Sequence, residues 1–328
     1  MVQGRHLAAI GAVALLLAGC GAGSAVVGIH EPPAQVTTTA PISPESAQRI
    51  ALRVISDADR ADVAPPHEAA ALRDKALTGT ALSVANAASE LGGASKAASQ
   101  PLTRTEPPKV LAISRGTEWP RVMLVQTSNA DGAAVLNLLS SPDARTPFRL
   151  AARATMHPGA TIAALDSLVK GSPVVTDDST LSTPPKALLT GYAASLAYPK
   201  PAAAKGVDGS DPFSMSVRAN AAAQAKAFGA LATLTQQHVV QPADTVAIGL
   251  RGGGAVVFAL LERTDTVSLR PGGKSLTPSV EFQRLVRKKA LSKSAQLKTY
   301  ETVVLTVPDS GAATVVAADE VLVSAKGA

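Results

Sequence analysis

The chain holds a single cysteine, Cys20, and that residue alone removes whole classes of fold. It cannot form an internal disulfide framework, and it cannot supply a multi-thiolate zinc or iron–sulfur site. Stability must therefore come from buried apolar surface. The 328 residues, 46% of them hydrophobic, are enough for one large domain or two ordinary ones. Only 3% are aromatic, which argues against a base-stacking platform, so no nucleic-acid partner is expected despite a net charge of +6.

The position of that cysteine is as informative as its number. Arg5 and His6 precede an apolar run over residues 7–17. A stable membrane span needs about 20 residues, so the run is too short to cross but suits the apolar region of a signal peptide. It closes in Leu17-Ala18-Gly19-Cys20, which resembles the lipobox of bacterial lipoproteins. The resemblance implies that residues 1–19 are removed and that Cys20 becomes a diacylglycerol-modified N-terminus. The body would then sit on the cell membrane facing outside the cytoplasm. Two acyl chains on one residue would make a stable double anchor, since each buried methylene contributes about 0.8 kcal/mol.

Residues 20–43 are small and rich in Pro and Thr, as in Pro32-Pro33 and Thr37-Thr38-Thr39, and read as a flexible tether. Order begins at Ser43-Pro44-Glu45, a capping hydroxyl followed by a proline suited to the first helical position. Ala47, Ile50, Val54, Ala58 and Ala61 recur on one helical face. A second helix is expected over 67–91, weakened at Gly79. Four strands follow, at 110–115, 121–128, 133–140 and 148–156, joined by short turns that make an antiparallel meander. The order then repeats. A helix is expected over 186–197, and a long one opens at Asp211-Pro212, with an inner stripe from Phe213 that reaches Leu231 and Thr235. Strands are expected at 245–251, 255–270, 298–307 and 313–325.

These elements predict an α+β protein of two tandem helix–helix–antiparallel-meander modules, over 44–172 and 173–328. The order is similar to that of the cystatin-like and nuclear-transport-factor-2-like cones, folds that host many activities.

Most chemical motifs dissolve on inspection. His30, His67, His157 and His238 stand far apart, with no His-Glu-x-x-His, so no metal site is expected. Asp57, Asp59 and Asp62 lack the glycine and glutamate that complete a calcium loop and read as a solvated helix face. Gly272-Gly273-Lys274-Ser275 has no glycine at the required upstream position and opens no helix, so it is no phosphate loop. Ser167-x-x-Lys170 matches the nucleophile motif of penicillin-interacting enzymes, but its partner motifs are missing. Trp119, the only tryptophan, is expected to plug the core.

One patch stands out. Arg284, Arg287, Lys288, Lys289, Lys293 and Lys298 are offset locally by Glu281 alone, while Phe282, Leu285 and Val286 give the segment an apolar side. It is expected to contact an anionic surface, either membrane lipid or an envelope polymer.

The lipobox, the Thr/Pro tether, Arg73-Asp74-x-x-Leu77-Thr78-Gly79-x-Ala81-Leu82 and Trp119-Pro120-Arg121 together resemble actinobacterial lipoproteins with a large C-terminal domain of unknown function. That resemblance implies an envelope location and no particular reaction. The chain is therefore expected to be a binding or scaffold lipoprotein, without cofactor or catalysis. Its partners would be the membrane through acylated Cys20, an anionic lipid or polymer, and an envelope protein. An apolar or anionic envelope ligand is expected between sheet and helices. The alternative is an envelope serine hydrolase using Ser167 and Lys170.

Overall fold

The ordering of the chain follows from where its strands are apolar on both faces. The computed structural model describes residues 39–91, 106–175, 181, 183–273, 275–278 and 280–328. Cys20, His30 and Lys274 lie outside the described residues.

Three helices come first: α1 (Pro44–Val63), α2 (Pro66–Ala76) and α3 (Gly79–Glu90). Ser43 caps α1, its hydroxyl accepting from the Ser46 N–H at 3.2 Å, with Pro44 at the first position. The Pro65-Pro66 pair ends α1, because a residue before proline avoids helical geometry. The buried stripe Ala47, Ala51, Val54, Ile55, Ala58 and Ala61 matches the expected face. The helix expected over 67–91 is two helices instead. Leu77 leaves the helical path, sinks into the core at 1% exposure and bridges Leu150, while the Thr78 N–H donates to the Leu150 carbonyl at 2.8 Å. Gly79 then restarts the helix at φ +52°, a conformation that favours glycine.

Four strands follow as a plain meander, β1 (Lys109–Ile113), β2 (Arg121–Ser128), β3 (Ala134–Ser141) and β4 (Arg149–Thr155), antiparallel throughout. The remaining elements are α4 (Pro185–Ser195), the two-residue β5 (Val207–Asp208), α5 (Pro212–Phe228), β6 (Ala232–Gly249), β7 (Ala255–Leu269), α6 (Val280–Val286), β8 (Ser294–Val307) and β9 (Ala313–Gly327). β6 to β9 form a second antiparallel meander, with β5 added in parallel to β9. The protein is thus α+β with antiparallel sheets.

The two sheets pack against each other. Val122, Leu124 and Leu138 of the first share a core with Val256, Phe258 and Val304 of the second. The alternate residues face outward to helices: Met123 and Val125 pack on α1, and Val257 and Leu261 pack with Leu189 and Tyr192 of α4. Four layers result, helices–sheet–sheet–helices, and both faces of each sheet are covered. That is why β2, β3 and β7 read as near-continuous apolar runs instead of alternating. Residues Thr37–Ala328 form one compact unit, and the end of β4 crosses to the second sheet through the His157 N–H, which donates to the Val316 carbonyl at 2.9 Å.

Two expectations change in the second half. The stripe from Phe213 does not continue to Thr235: α5 ends at Phe228, Gly229 turns the chain at φ +54°, and β6 begins at Ala232, far ahead of residue 245. Trp119 is not a core plug. It is 38% exposed and lies under the Arg121 guanidinium, 4.4 Å from the ring centroid. Among the described residues no helix is long and apolar enough to cross a membrane.

Candidate binding site

On the outer face of the second sheet, the side chains that meet α5 come from every second residue of four strands. Register sets them in rows. Leu261 of β7 stands opposite Val240 of β6 and Glu301 of β8, and Glu301 stands opposite Glu320 of β9. The next row is His238, Arg263 and Thr299, and the one after is Gln236 and Asp265. Above these rows the face is apolar, with Ala259, Val303 and Val257. Below them it is apolar again, with Leu234, Val267 and Ala295. A polar island therefore splits one sheet face into two separate apolar clusters.

The island is tightly bonded. Arg263 Nη1 donates to Glu301 Oε1 at 2.9 Å and to Glu320 Oε2 at 2.7 Å, Nε donates to Asp265 Oδ2 at 3.1 Å, and Nη2 reaches Thr299 Oγ1 at 3.5 Å. The other Glu301 oxygen lies 2.8 Å from His238 Nδ1. Gln236 Nε2 donates to the Leu196 carbonyl at 3.2 Å and lies 2.8 Å from His238 Nε2. An amide nitrogen can only donate, so His238 Nε2 accepts, and the imidazole proton sits on Nδ1, donated to Glu301. The network is one guanidinium and one neutral imidazole against three carboxylates. Burial holds the Asp265 carboxyl above the usual carboxylate range, opposed by Arg263.

Because the sheet is polar here, α5 cannot seal against it. Between them lies a cavity of about 400 Å³. Its floor includes Gln236, Arg263, Asp265 and Glu320, and its roof is Phe213, Ser216, Val217, Asn220 and Gln224 of α5. Asp211 fixes the roof by capping α5, accepting from the Ser214 N–H at 2.8 Å. A pocket of this size suits a small molecule. The carboxylate-rich floor is the opposite of what an anionic ligand requires.

The residues singled out from the sequence lie elsewhere. Ser167 and Lys170 are close in sequence, but the Lys170 ammonium is held by Asp166 at 2.9 Å, and the Ser167 hydroxyl accepts from the Lys170 backbone N–H at 3.3 Å. An ion-paired ammonium is no free base. Ser214, beside Asp211 and His157, bonds the Tyr192 hydroxyl at 2.9 Å, while His157 Nε2 lies 3.7 Å from Asp211 Oδ1. Neither serine lies against a free base. Asp57 pairs with Arg60 at 2.5 Å and Asp62 with Arg153 at 3.0 Å. Among the described residues no group of His, Cys, Asp or Glu is placed to hold a metal ion.

In the basic segment, Phe282 of α6 is buried, and Arg287, Lys288, Lys289 and Lys293 are exposed. Lys288 Nζ donates to the Gly327 carbonyl at 2.9 Å. Lys298 is separate from this patch, paired with Glu262 at 2.6 Å across β7 and β8. The side chain of Arg284 lies outside the described residues.

Sequence reasoning missed the island. Gln236 and His238 occupy inward positions of β6, so the strand shows no apolar alternation there. The signal was in β7, where Leu261, Arg263, Asp265 and Val267 put two charges between apolar residues of one face. No family model, curated protein or solved structure matches the chain.

Proposed function

We propose that the chain is a lipid-anchored extracytoplasmic lipoprotein of the bacterial cell envelope that acts by binding. It holds a small ligand, or it docks and organises an envelope protein. The anchor is supported by Leu17-Ala18-Gly19-Cys20 behind a short apolar run. The binding half rests on one observation, the cavity between α5 and the polar island. Its floor is a network of groups locked to one another, and a rigid polar floor orients a ligand without attacking it.

Arg284, Arg287, Lys288, Lys289 and Lys293 would face anionic lipid or an envelope polymer close to the membrane. The finer reading of the fold, two tandem modules similar to cystatin-like and nuclear-transport-factor-2-like cones, rests on the repeated order of helices and meander. Membership among actinobacterial lipoproteins with a C-terminal domain of unknown function rests on the motifs quoted above and carries location alone.

Replacing the acylated residue tests the proposal. Cys20→Ala should release the protein into the medium and abolish incorporation of labelled fatty acid. Continued membrane retention of the variant would refute the lipid anchor.

A further inference from the structure

Thr39 and Ala40, the first of the described residues, are held at one end of the first sheet. The Gly116 N–H donates to the Thr39 carbonyl at 3.2 Å, and the Ala40 N–H donates to the Val169 carbonyl at 3.1 Å. The segment that carries Cys20 therefore joins the body between two loops, residues 114–120 and the stretch around Val169. Each loop turns a large apolar side chain to solvent, Trp119 at 38% exposure and Val169 at 67%. Trp119 is three residues from Gly116, so its Cα lies within about 11 Å of that attachment.

Basic groups flank both. The Arg121 guanidinium lies 4.4 Å from the Trp119 ring centroid, and no carboxylate among the described residues holds it. Lys170 follows Val169 and, though paired with Asp166, keeps its side chain 54% exposed. Glu118 is the one exposed acid of the two loops. An exposed indole under a guanidinium, beside an aliphatic side chain and a lysine, has the composition of a membrane–water interface. The ring belongs at headgroup depth, where the cation meets lipid phosphate. The point of attachment favours a bilayer over a protein partner. Eighteen residues, 21–38, separate Cys20 from Thr39, so an acylated Cys20 keeps this end within about 65 Å of the bilayer. Confinement on that scale amounts to an effective concentration in the millimolar range, which populates a contact too weak to form in free solution.

We infer that the end of the body bearing Trp119, Arg121 and Val169 rests in the headgroup layer of the membrane that holds Cys20, with the indole at the interface and the guanidinium donating to lipid phosphate. This contact deepens the proposed function and rests on its lipid anchor. The Arg251 N–H, just ahead of β7, donates to the Ala164 carbonyl beside the same loop, while the basic segment after α6 meets the other end of that 15-residue strand at Leu269. Trp119 therefore reports this contact alone.

Trp119 is the only tryptophan, so its fluorescence tests the contact in the full lipidated chain. The chain is reconstituted in phosphatidylglycerol vesicles, with or without lipid brominated on its acyl chains near the headgroup. Flotation first shows whether the chain is anchored. Brominated lipid should then quench most of the Trp119 emission. Arg121→Gln should lose much of that quenching. Because Arg121 is half-buried, a second variant is made at a more open position: Val169→Glu should show the same loss with an unchanged melting temperature. A floating chain whose Trp119 is not quenched, or undiminished quenching in folded Val169→Glu, would overturn the contact and leave the anchor standing. A chain that does not float has no anchor, and the contact falls with it.

Discussion

Glu301 lies between Arg263 and His238, accepting from the guanidinium at 2.9 Å through one oxygen and from the imidazole at 2.8 Å through the other. The carboxylate is fully buried, in the polar island between the two apolar clusters of that sheet face. A charge so placed is tolerable only while both partners hold it.

Glu301→Ala should therefore be one of the most damaging single changes in the chain. It leaves Arg263 with Glu320 and Asp265 but removes the acceptor of the His238 proton and opens a void. Loss of one partner from a buried pair costs about 3–5 kcal/mol. Urea unfolding should show that loss, with a smaller one for Glu301→Gln, which keeps an acceptor. Equal midpoints for Glu301→Ala and the native protein would remove the network from the stability of the fold.

Phe258 is fully buried where the two sheets meet, among residues of both. Phe258→Ala should cost about 3–5 kcal/mol. Since the core is shared, loss of secondary structure from both sheets should remain a single transition, shifted to lower temperature. Two resolved transitions in calorimetry would instead mean that each half holds together without the other.

Asp319 ties β9 to β4, its Oδ2 accepting from the Thr155 N–H at 2.9 Å and the Thr155 hydroxyl at 3.2 Å. Burial raises its pKa above the ordinary 3.8, with the Thr155 donors opposing. Over the interval between the unfolded and native values, the native state holds a proton that the unfolded chain has lost. Stability from this group is therefore greatest below the unfolded value and falls as pH rises through the native one. In Asp319→Asn that component is absent. Denaturant midpoints recorded from pH 4 to pH 7 should show a more downward trend in the native protein than in the variant. Parallel curves would mean that Asp319 titrates as it does in the unfolded chain.

Arg287, Lys288, Lys289 and Lys293 are exposed around the end of α6. Each cation near an anionic bilayer is worth about 1 kcal/mol, an effect that salt screens. Replacing Lys289 and Lys293 by glutamine should weaken co-sedimentation with phosphatidylglycerol vesicles at low salt, with no change in melting temperature. Unaltered binding would leave the patch as solvated surface.

Much of the scaffold was legible because local chemistry agreed with the final structure. Ser43-Pro44 and Asp211-Pro212 announce helix starts by their capping oxygens, and each does so in the fold. The apolar runs of β2 and β7 announced buried strands. Leu77 was misread because its helical neighbours outweighed it locally, while burial against Leu150 decided its conformation. The first half of β6 was misread because Gln236 and His238 look like solvent-facing residues. They are inward, and nothing local distinguishes a polar side chain with a buried partner from one in water. The partners of His238 and Arg263 in Glu301 are 63 and 38 positions away.

Local sequence thus determined the capped starts of α1 and α5, the antiparallel turns of the first meander and the absence of any thiol chemistry beyond Cys20, because capping, turn closure and residue type act within a few positions. Tertiary structure alone decided that the two sheets share a core and that the outer face of the second carries a polar island beneath α5. The reason is register: a pairing between strands tens of residues apart selects which side chains share a row. Only that row turns scattered Gln, His, Arg, Asp and Glu residues into the floor of a cavity.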